Sequence, residues 1–365
     1  MILGIDVSTY FEMKKANTKY YDNGVEVEPL DLFRNNNVEY MRIRVWNDPY
    51  DENGKPYLGG TCGVDNFINL AKLATSKGYK ILLDLHYSDF WADPGKQFLP
   101  KAWKDYNIDE LEAAIYEYTK TVLEKAKSEN IEVSLIQVGN EITNGMCWPL
   151  GMLKWHKEGP RTNYDNLCRL FKSGIKASKE VFPSIQTIIH LEKSYDQDTY
   201  REFLDHLVKY DVNYDILGCS YYPYWHGSFE QLFTNISMCK QRYNKPVMIM
   251  ELGYGFTMED YILTENGQKQ IVFGDDSGLS KPYPITVEGQ CLFVEEFLKR
   301  AKENDIKAVF YWEPCWIPGE NICWASVEGQ RYINEVGKDT RNEWANQCLF
   351  DYKGNKLPAF DKYKL

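Results

Sequence analysis

Short apolar runs alternate along the whole chain with longer, half-apolar ones. The short runs begin at Ile2 ("ILGIDVS"), Val38 ("VEYMRIRVW"), Tyr79 ("YKILLDLHYS") and Val133 ("VSLIQVGNE"), and continue at Gln186 ("QTIIHLE"), Ile216 ("ILGCSYYP"), Val247 ("VMIMELG") and Ala308 ("AVFYWEP"). Nearly continuous apolar runs of this length suit strands buried on both faces. Between most of them the period changes to that of a helix. The clearest case is "DELEAAIYEYTKTVLEKAK", where Leu111, Ile115, Tyr118 and Val122 form one apolar stripe opposite a charged face. Eight such strands with helical crossovers predict an α/β fold, a (β/α)8 TIM barrel with long loops at its C-terminal face, as a single domain over residues 1–365. No Gly-x-Gly-x-x-Gly follows the first strand and no Walker-type lysine loop occurs, which disfavours a doubly wound nucleotide-binding sheet.

In such a barrel the residues at the C-terminal strand ends face a common cup. Here those ends carry Asp6; Arg44 with Trp46; Asp84 with His86; Asn140 with Glu141; His190; Tyr221 with Tyr222; Glu251; and Trp312 with Glu313. A purely structural end is usually small or apolar before its turn. Polar groups at all eight predict one binding site.

The totals narrow its ligand. A net charge of -11 argues against nucleic acid and against an anionic membrane face. No run of 18 apolar residues predicts a membrane span. Aromatic residues reach 15%, and although most of them fill the core, aromatic faces also stack on sugar rings. Nine cysteines without a Cys-x-x-Cys pair point away from a disulfide framework and a zinc knuckle. With no signal-peptide pattern after Met1, they predict a cytoplasmic, monomeric protein; the alternative is secretion with the signal already removed. The histidines His86, His156, His190, His206 and His226 are dispersed with no His-x-His pair, so no catalytic metal is expected. Cys147, Cys219 and Cys315 read as small buried hydrophobes.

Two carboxylates are placed for chemistry. Glu141 ends the fourth strand and Glu251 the seventh, 110 residues on, which sets them across the barrel mouth from each other. Glycoside hydrolysis uses such a pair, one acid protonating the leaving oxygen and one carboxylate attacking the anomeric carbon or activating water. Either glutamate alone would serve equally as a helix cap or a lysine partner; the pair, with Asn140 and Arg44 in their strands, favours catalysis. Asn140 is placed for a sugar 2-hydroxyl. Arg44 and a tyrosine of the sixth strand are placed to keep Glu251 ionised. Glu141 is the group that must hold a proton.

These residues sit in motifs resembling glycoside hydrolase family 53, the endo-β-1,4-galactanases. The resemblance runs through "GIDVS" (4–8), "RIRVWNDP" (42–49), "LDLHYSDFWADPGKQ" (83–97) and "QVGNEITNGMCWPLG" (137–151). It continues through "SYYPYWHG" (220–227), "ELGYGFT" (251–257), "FYWEPCWIP" (310–318) and "NQCLFDYKGNKLP" (346–358). It implies a retaining enzyme acting on β-1,4-galactan, as in pectin side chains, or on galacto-oligosaccharides, with Glu141 as acid/base and Glu251 as nucleophile. It further implies that Asp93, Gly95 and Lys96 contact glycone-side galactose, that Trp312 forms the floor, and that Tyr221, Tyr222, Trp225 and His226 line the sixth-strand side. Arg44, Asp84, His86, Asn140 and His190 complete the expected substrate-binding set. No cofactor is implied. The calcium loop of some bacterial members is not favoured here, because the segment at 258–283 lacks the Asp/Asn spacing a hard cation needs, and Asp275, Asp276 and Ser277 read as a solvated turn. Residues 319–346 are long for a connection and are expected to shape the far end of the groove. Of Trp91, Trp103 and Trp148, only Trp91 reads as a sugar platform. The rival readings are a β-1,4-mannanase or xylanase of related fold and a non-catalytic glycan-binding barrel.

Overall fold

The computed structural model describes residues 1–58, 62–155, 159–262, 269, 271–272 and 282–364. Every predicted strand forms inside its apolar run: β1 (Ile2–Asp6), β2 (Tyr40–Val45), β3 (Lys80–Leu85), β4 (Val133–Val138), β5 (Gln186–Leu191), β6 (Ile216–Tyr221), β7 (Val247–Leu252) and β8 (Ala308–Trp312). They pair in parallel in chain order, and β8 returns to β1, closing the barrel. The main crossover helices are α1 (Pro29–Asn35), α2 (Val64–Ser76), α3 (Ile108–Ser128), α4 (Tyr164–Val181), α5 (Gln197–Lys209), α6 (Phe229–Tyr243) and α7 (Val287–Glu303), with a short α8 (Pro358–Lys362) after β8.

Two cores result from strand alternation. Outward-facing strand residues pack with the helices into one large apolar layer. Inside the barrel a smaller cluster of Tyr40, Leu82, Leu135, Ile188, Ile216, Met248, Met250, Ala308 and Phe310 fills the N-terminal half. The Phe310 ring crosses to β1, where a Cβ on Gly4 would stand 2.3 Å from it. Glycine is required there by close approach. Above this plug the interior turns polar, and register sets the polar groups side by side: Asp6 opposite Arg42, Arg44 opposite Asp84, Asp84 opposite Gln137.

Helix α3 starts at a capping box. The Asn107 side chain accepts from the N–H groups of Asp109 and Glu110, while Glu110 reaches back to the Asn107 N–H. Of its predicted stripe, Leu111, Ile115 and Val122 are buried and Tyr118 is half-buried. After α8, the Tyr363 hydroxyl lies 2.6 Å from the Gly4 carbonyl and 2.7 Å from that of Val309, across the β1–β8 seam. Among the described residues no helix is long and apolar enough to cross a membrane. His156 and the expected turn at Asp275, Asp276 and Ser277 lie outside the described residues.

Candidate active site

Alternation alone would not bring Glu141 and Glu251 into the cup. On β7, Met248 and Met250 point inward, so Glu251 should point out. Pairing with β6 jumps from Cys219–Ile249 to Ser220–Glu251, and this bulge turns Glu251 inward. On β4, the chain leaves Val138 through Gly139 (φ 83°) and reaches Glu141 at φ 49°, ψ 53°. Two left-handed residues around Asn140 put both the amide and the acid over the barrel mouth, where a regular strand would send neighbours to opposite faces. A Cβ on Gly139 would meet Ile142 at 2.8 Å, so this turn also needs its glycine for space.

The cavity so formed holds about 660 Å³, and both glutamates line it. An oxygen of each lies within 4.8 Å of the other and of a His190 ring nitrogen. Burial raises both carboxyls above their usual range, and the charge of Glu251 raises Glu141 further. Glu251 is pulled back by Arg42, whose Nη1 lies 3.1 Å from Oε1, and by Tyr222 Oη, which donates to Oε2 at 2.9 Å. The pair's proton therefore rests on Glu141.

The guanidinium beside Glu251 is thus Arg42, and the expectation that Arg44 fills this place is corrected. Arg42 also reaches Asp6 (2.8 Å), Asp84 (2.9 Å) and Asn140 Oδ1 (2.8 Å). Arg44 sits one pleat higher, bonds Glu313 at 2.5 Å, and lays its guanidinium 4.3 Å from the centre of the Trp91 ring. It still lines the cavity. Strand parity explains the omission, since Arg42 and Arg44 share the inward face of β2 and the lower one sits at the level of Glu251.

The two tyrosines separate for the same reason. Tyr222 faces Glu251. Tyr221 points outward, its ring 5.4 Å from Phe297 of α7 and its hydroxyl on the Gly227 carbonyl, so it lies outside the site. Three further expected contacts do not line the cavity. Asp84 is fully buried beneath it, joined to Arg42, Gln137 and His86. His190 is fully buried against Ser220, Gln137 and Asn140. Gly95 sits at an exposed loop tip that Asp93 holds by a side-chain bond to its N–H. Asp93, Lys96, His86, Asn140 and Trp312 do line the cavity. So do Trp91 and, from the sixth-strand side, Trp225 and His226. Asp93 and Lys96 are ion-paired at 2.7 Å. His86 accepts from the Trp46 indole and the Ala92 N–H at Nδ1, so Nε2 carries the proton and donates to Asp84.

The segment 319–346 does shape the cup, placing Trp324, Lys338, Asp339 and Trp344 on its wall, with Trp344 4.9 Å from Trp312. Trp103 and Trp148 are not part of it. Cys147, Cys219 and Cys315 are buried. Sequence reasoning also missed Ser220, which donates to Glu141 Oε1 at 2.6 Å. Its signal was parity with Tyr222, which follows the last residue of β6. Glu141, His190 and Glu251 form the grouping nearest to a metal-ligand set among the described residues. Both His190 nitrogens already have hydrogen-bond partners and Arg42 supplies the cation, so the trio reads as a carboxylate pair with its supporting imidazole.

Set beside known proteins, residues 2–363 match the model of glycosyl hydrolase family 53. The chain is 35% identical to an endo-beta-1,4-galactanase of Bacillus subtilis, over 100% of this chain and 85% of that protein. It is 31% identical to a probable arabinogalactan endo-beta-1,4-galactanase A of Neosartorya fischeri, over 86% and 84% of the two chains. Among solved structures, the GH53 catalytic domain of Ignisphaera aggregans superposes with a TM-score of 0.88 at 35% identity, over 99% of this chain and 95% of that one.

Proposed function

The chain belongs to glycosyl hydrolase family 53, and on that premise we propose that it hydrolyses internal β-1,4-galactosidic bonds with retention of configuration. The observation that carries this reading is the pair of carboxylates, with oxygens within 4.8 Å across the cup and opposite electrostatic surroundings. Retaining glycosidases hold their carboxyl groups about 5–5.5 Å apart, close enough for direct attack and too close for an intervening water.

Glu251, kept ionised by Arg42 and Tyr222, attacks the anomeric carbon. The bond to the leaving galactosyl oxygen breaks as Glu141 passes its proton to that oxygen. A galactosyl ester on Glu251 results, and its formation removes the negative charge that held the proton on Glu141. The Glu141 carboxylate then takes a proton from water, whose oxygen attacks the same carbon and frees Glu251. Each step balances without a cofactor. Asn140 lines the cup; Arg42 fixes its Oδ1 and its Nδ2 gives one hydrogen to the Ala92 carbonyl at 2.8 Å, which leaves the second for the sugar 2-hydroxyl. Trp312 supplies the floor, and Trp91, Trp324 and Trp344 the wall, for a neutral polymer.

The test is product release from linear β-1,4-galactan by the parent and by Glu251→Ala, with mannan and xylan alongside. We expect galacto-oligosaccharides whose reducing ends appear first as the β-anomer by proton NMR, and at least 10⁴-fold less product from the variant. An α-anomer appearing first would replace retention by inversion. Release from xylan or mannan alone would move the substrate assignment.

A further inference from the structure

Glu141 is held from behind. Ser220 Oγ lies 2.6 Å from its Oε1, whereas Oε2 has no hydrogen-bond partner among the described residues. Behind Ser220 is His190, with Nε2 2.9 Å from Ser220 Oγ and Nδ1 3.0 Å from both Gln137 Nε2 and Asn140 Oδ1. The position of the imidazole proton follows from counting donors. Gln137 is oriented by Asp84 Oδ1, 2.6 Å from Nε2, and by Arg42 Nε, 3.3 Å from Oε1. One of its two amide hydrogens serves Asp84, and the other is shared among His190 Nδ1 (3.0 Å), Asn140 Oδ1 (3.0 Å) and the Gly139 carbonyl (3.2 Å). The one acceptor within reach of a hydrogen on His190 Nδ1, Asn140 Oδ1, already takes Arg42 Nη2 at 2.8 Å and Gln137 Nε2 at 3.0 Å, one for each lone pair. His190 Nδ1 therefore accepts, Nε2 carries the hydrogen, and Ser220 Oγ receives it. Burial and the nearby Arg42 hold His190 neutral, so a second ring proton does not upset this order. A serine oxygen that receives from the imidazole gives its single O–H onward, to Glu141.

We propose that the buried chain Gln137–His190–Ser220–Glu141 runs in this one direction throughout the reaction, so that Ser220 always donates to Oε1 and the proton passed to the leaving group is carried by Oε2. Ser220 and His190 are then positioning residues for the acid. Charges facing Glu141 from other elements, namely Glu251, Glu192 and Asp93, all favour its protonated form, as does burial. The Ser220 hydroxyl favours the carboxylate. Its bond becomes charge-assisted, and stronger, once the proton has left. The chain thus eases proton release in the first half-reaction and supports the base in the second. The catalytic role of Glu141 is taken from the function proposed above, while the hydrogen-bond order rests on the contacts of these side chains and on the neutral imidazole.

The experiment compares the parent with Ser220→Ala, Ser220→Thr, His190→Ala and the double Ala variant. Glu141 is titrated by 13C NMR of glutamate-labelled resting protein, and the basic limb of kcat/KM is followed on galactan. Removing a hydrogen bond to a charged group shifts a pKa by about one unit, so Ser220→Ala should move the Glu141 titration and the basic limb upward by that amount. Ser220→Thr should restore both. His190→Ala should move them in the same direction by less, and the double variant should match Ser220→Ala, because His190 acts through the hydroxyl. An unmoved titration in Ser220→Ala, or additive shifts in the double variant, overturns the proposal. If Ser220→Ala does not fold, Ser220→Cys, a much weaker donor, carries the same expectation. A parent that cuts no galactan would sink the function alone, since the NMR titration needs no turnover.

Discussion

At the scale of single residues, the site depends on a cation that the sequence showed in plain view. Arg42 is buried among Asp6, Asp84 and Glu251. Replacing it by alanine leaves Asp84 and Glu251 without their guanidinium and Asp6 with only the longer Arg44 contact at 3.5 Å, a loss of about 3–5 kcal/mol for a broken buried pair, to be measured by urea unfolding. Tyr222→Phe removes the hydroxyl that stabilises ionised Glu251. The folded-state pKa of Glu251 then rises further, the nucleophile is ionised only at higher pH, and the acidic limb of kcat/KM should move up by roughly one unit. Tyr221→Phe gives up only a bond to a loop carbonyl and should leave that limb where it was. A shift with Tyr221→Phe in place of Tyr222→Phe would reverse the assignment. Glu141, Glu251 and Asn140 were legible because residue type and strand end suffice to nominate them. Arg42 over Arg44, and Tyr222 over Tyr221, turn on which pleat faces which neighbour, and a list of strand ends carries no such information.

Elements were more legible than the directions of their side chains. All eight strands lie within their apolar runs because a strand covered on both faces leaves an unbroken signature. The exceptions to alternation, the bulge at Glu251 and the left-handed turn at Glu141, leave no mark in hydrophobic periodicity. They are visible only in backbone geometry, and both coincide with the chemistry. Two changes test what holds the elements. Asn107→Ala removes the cap of α3 and should cost about 1 kcal/mol, read from the denaturation midpoint with activity unchanged. Gly4→Ala drives a methyl group into the Phe310 ring inside the barrel and should cost about 1–3 kcal/mol by overpacking. A neutral Gly4→Ala would mean that the ring can move aside.

For the molecule as a whole, the cup is assembled from strand ends that closure of the barrel brings together, and its wall is completed by a loop after the last strand. Trp344 on that loop should bind sugar without taking part in chemistry. Trp344→Ala is expected to raise KM for galactan roughly tenfold with kcat little altered, about 1.4 kcal/mol of lost stacking; a fall confined to kcat would argue against it. The turn that aims Glu141 carries a wider consequence. A glutamate in the left-handed region is strained by roughly 1–3 kcal/mol, and asparagine tolerates that region better. Glu141→Asn should therefore melt a few degrees higher than the parent while losing its activity. Thermal stability and turnover compete at this one position, so a lineage selected for heat resistance alone would be drawn to discard its own acid.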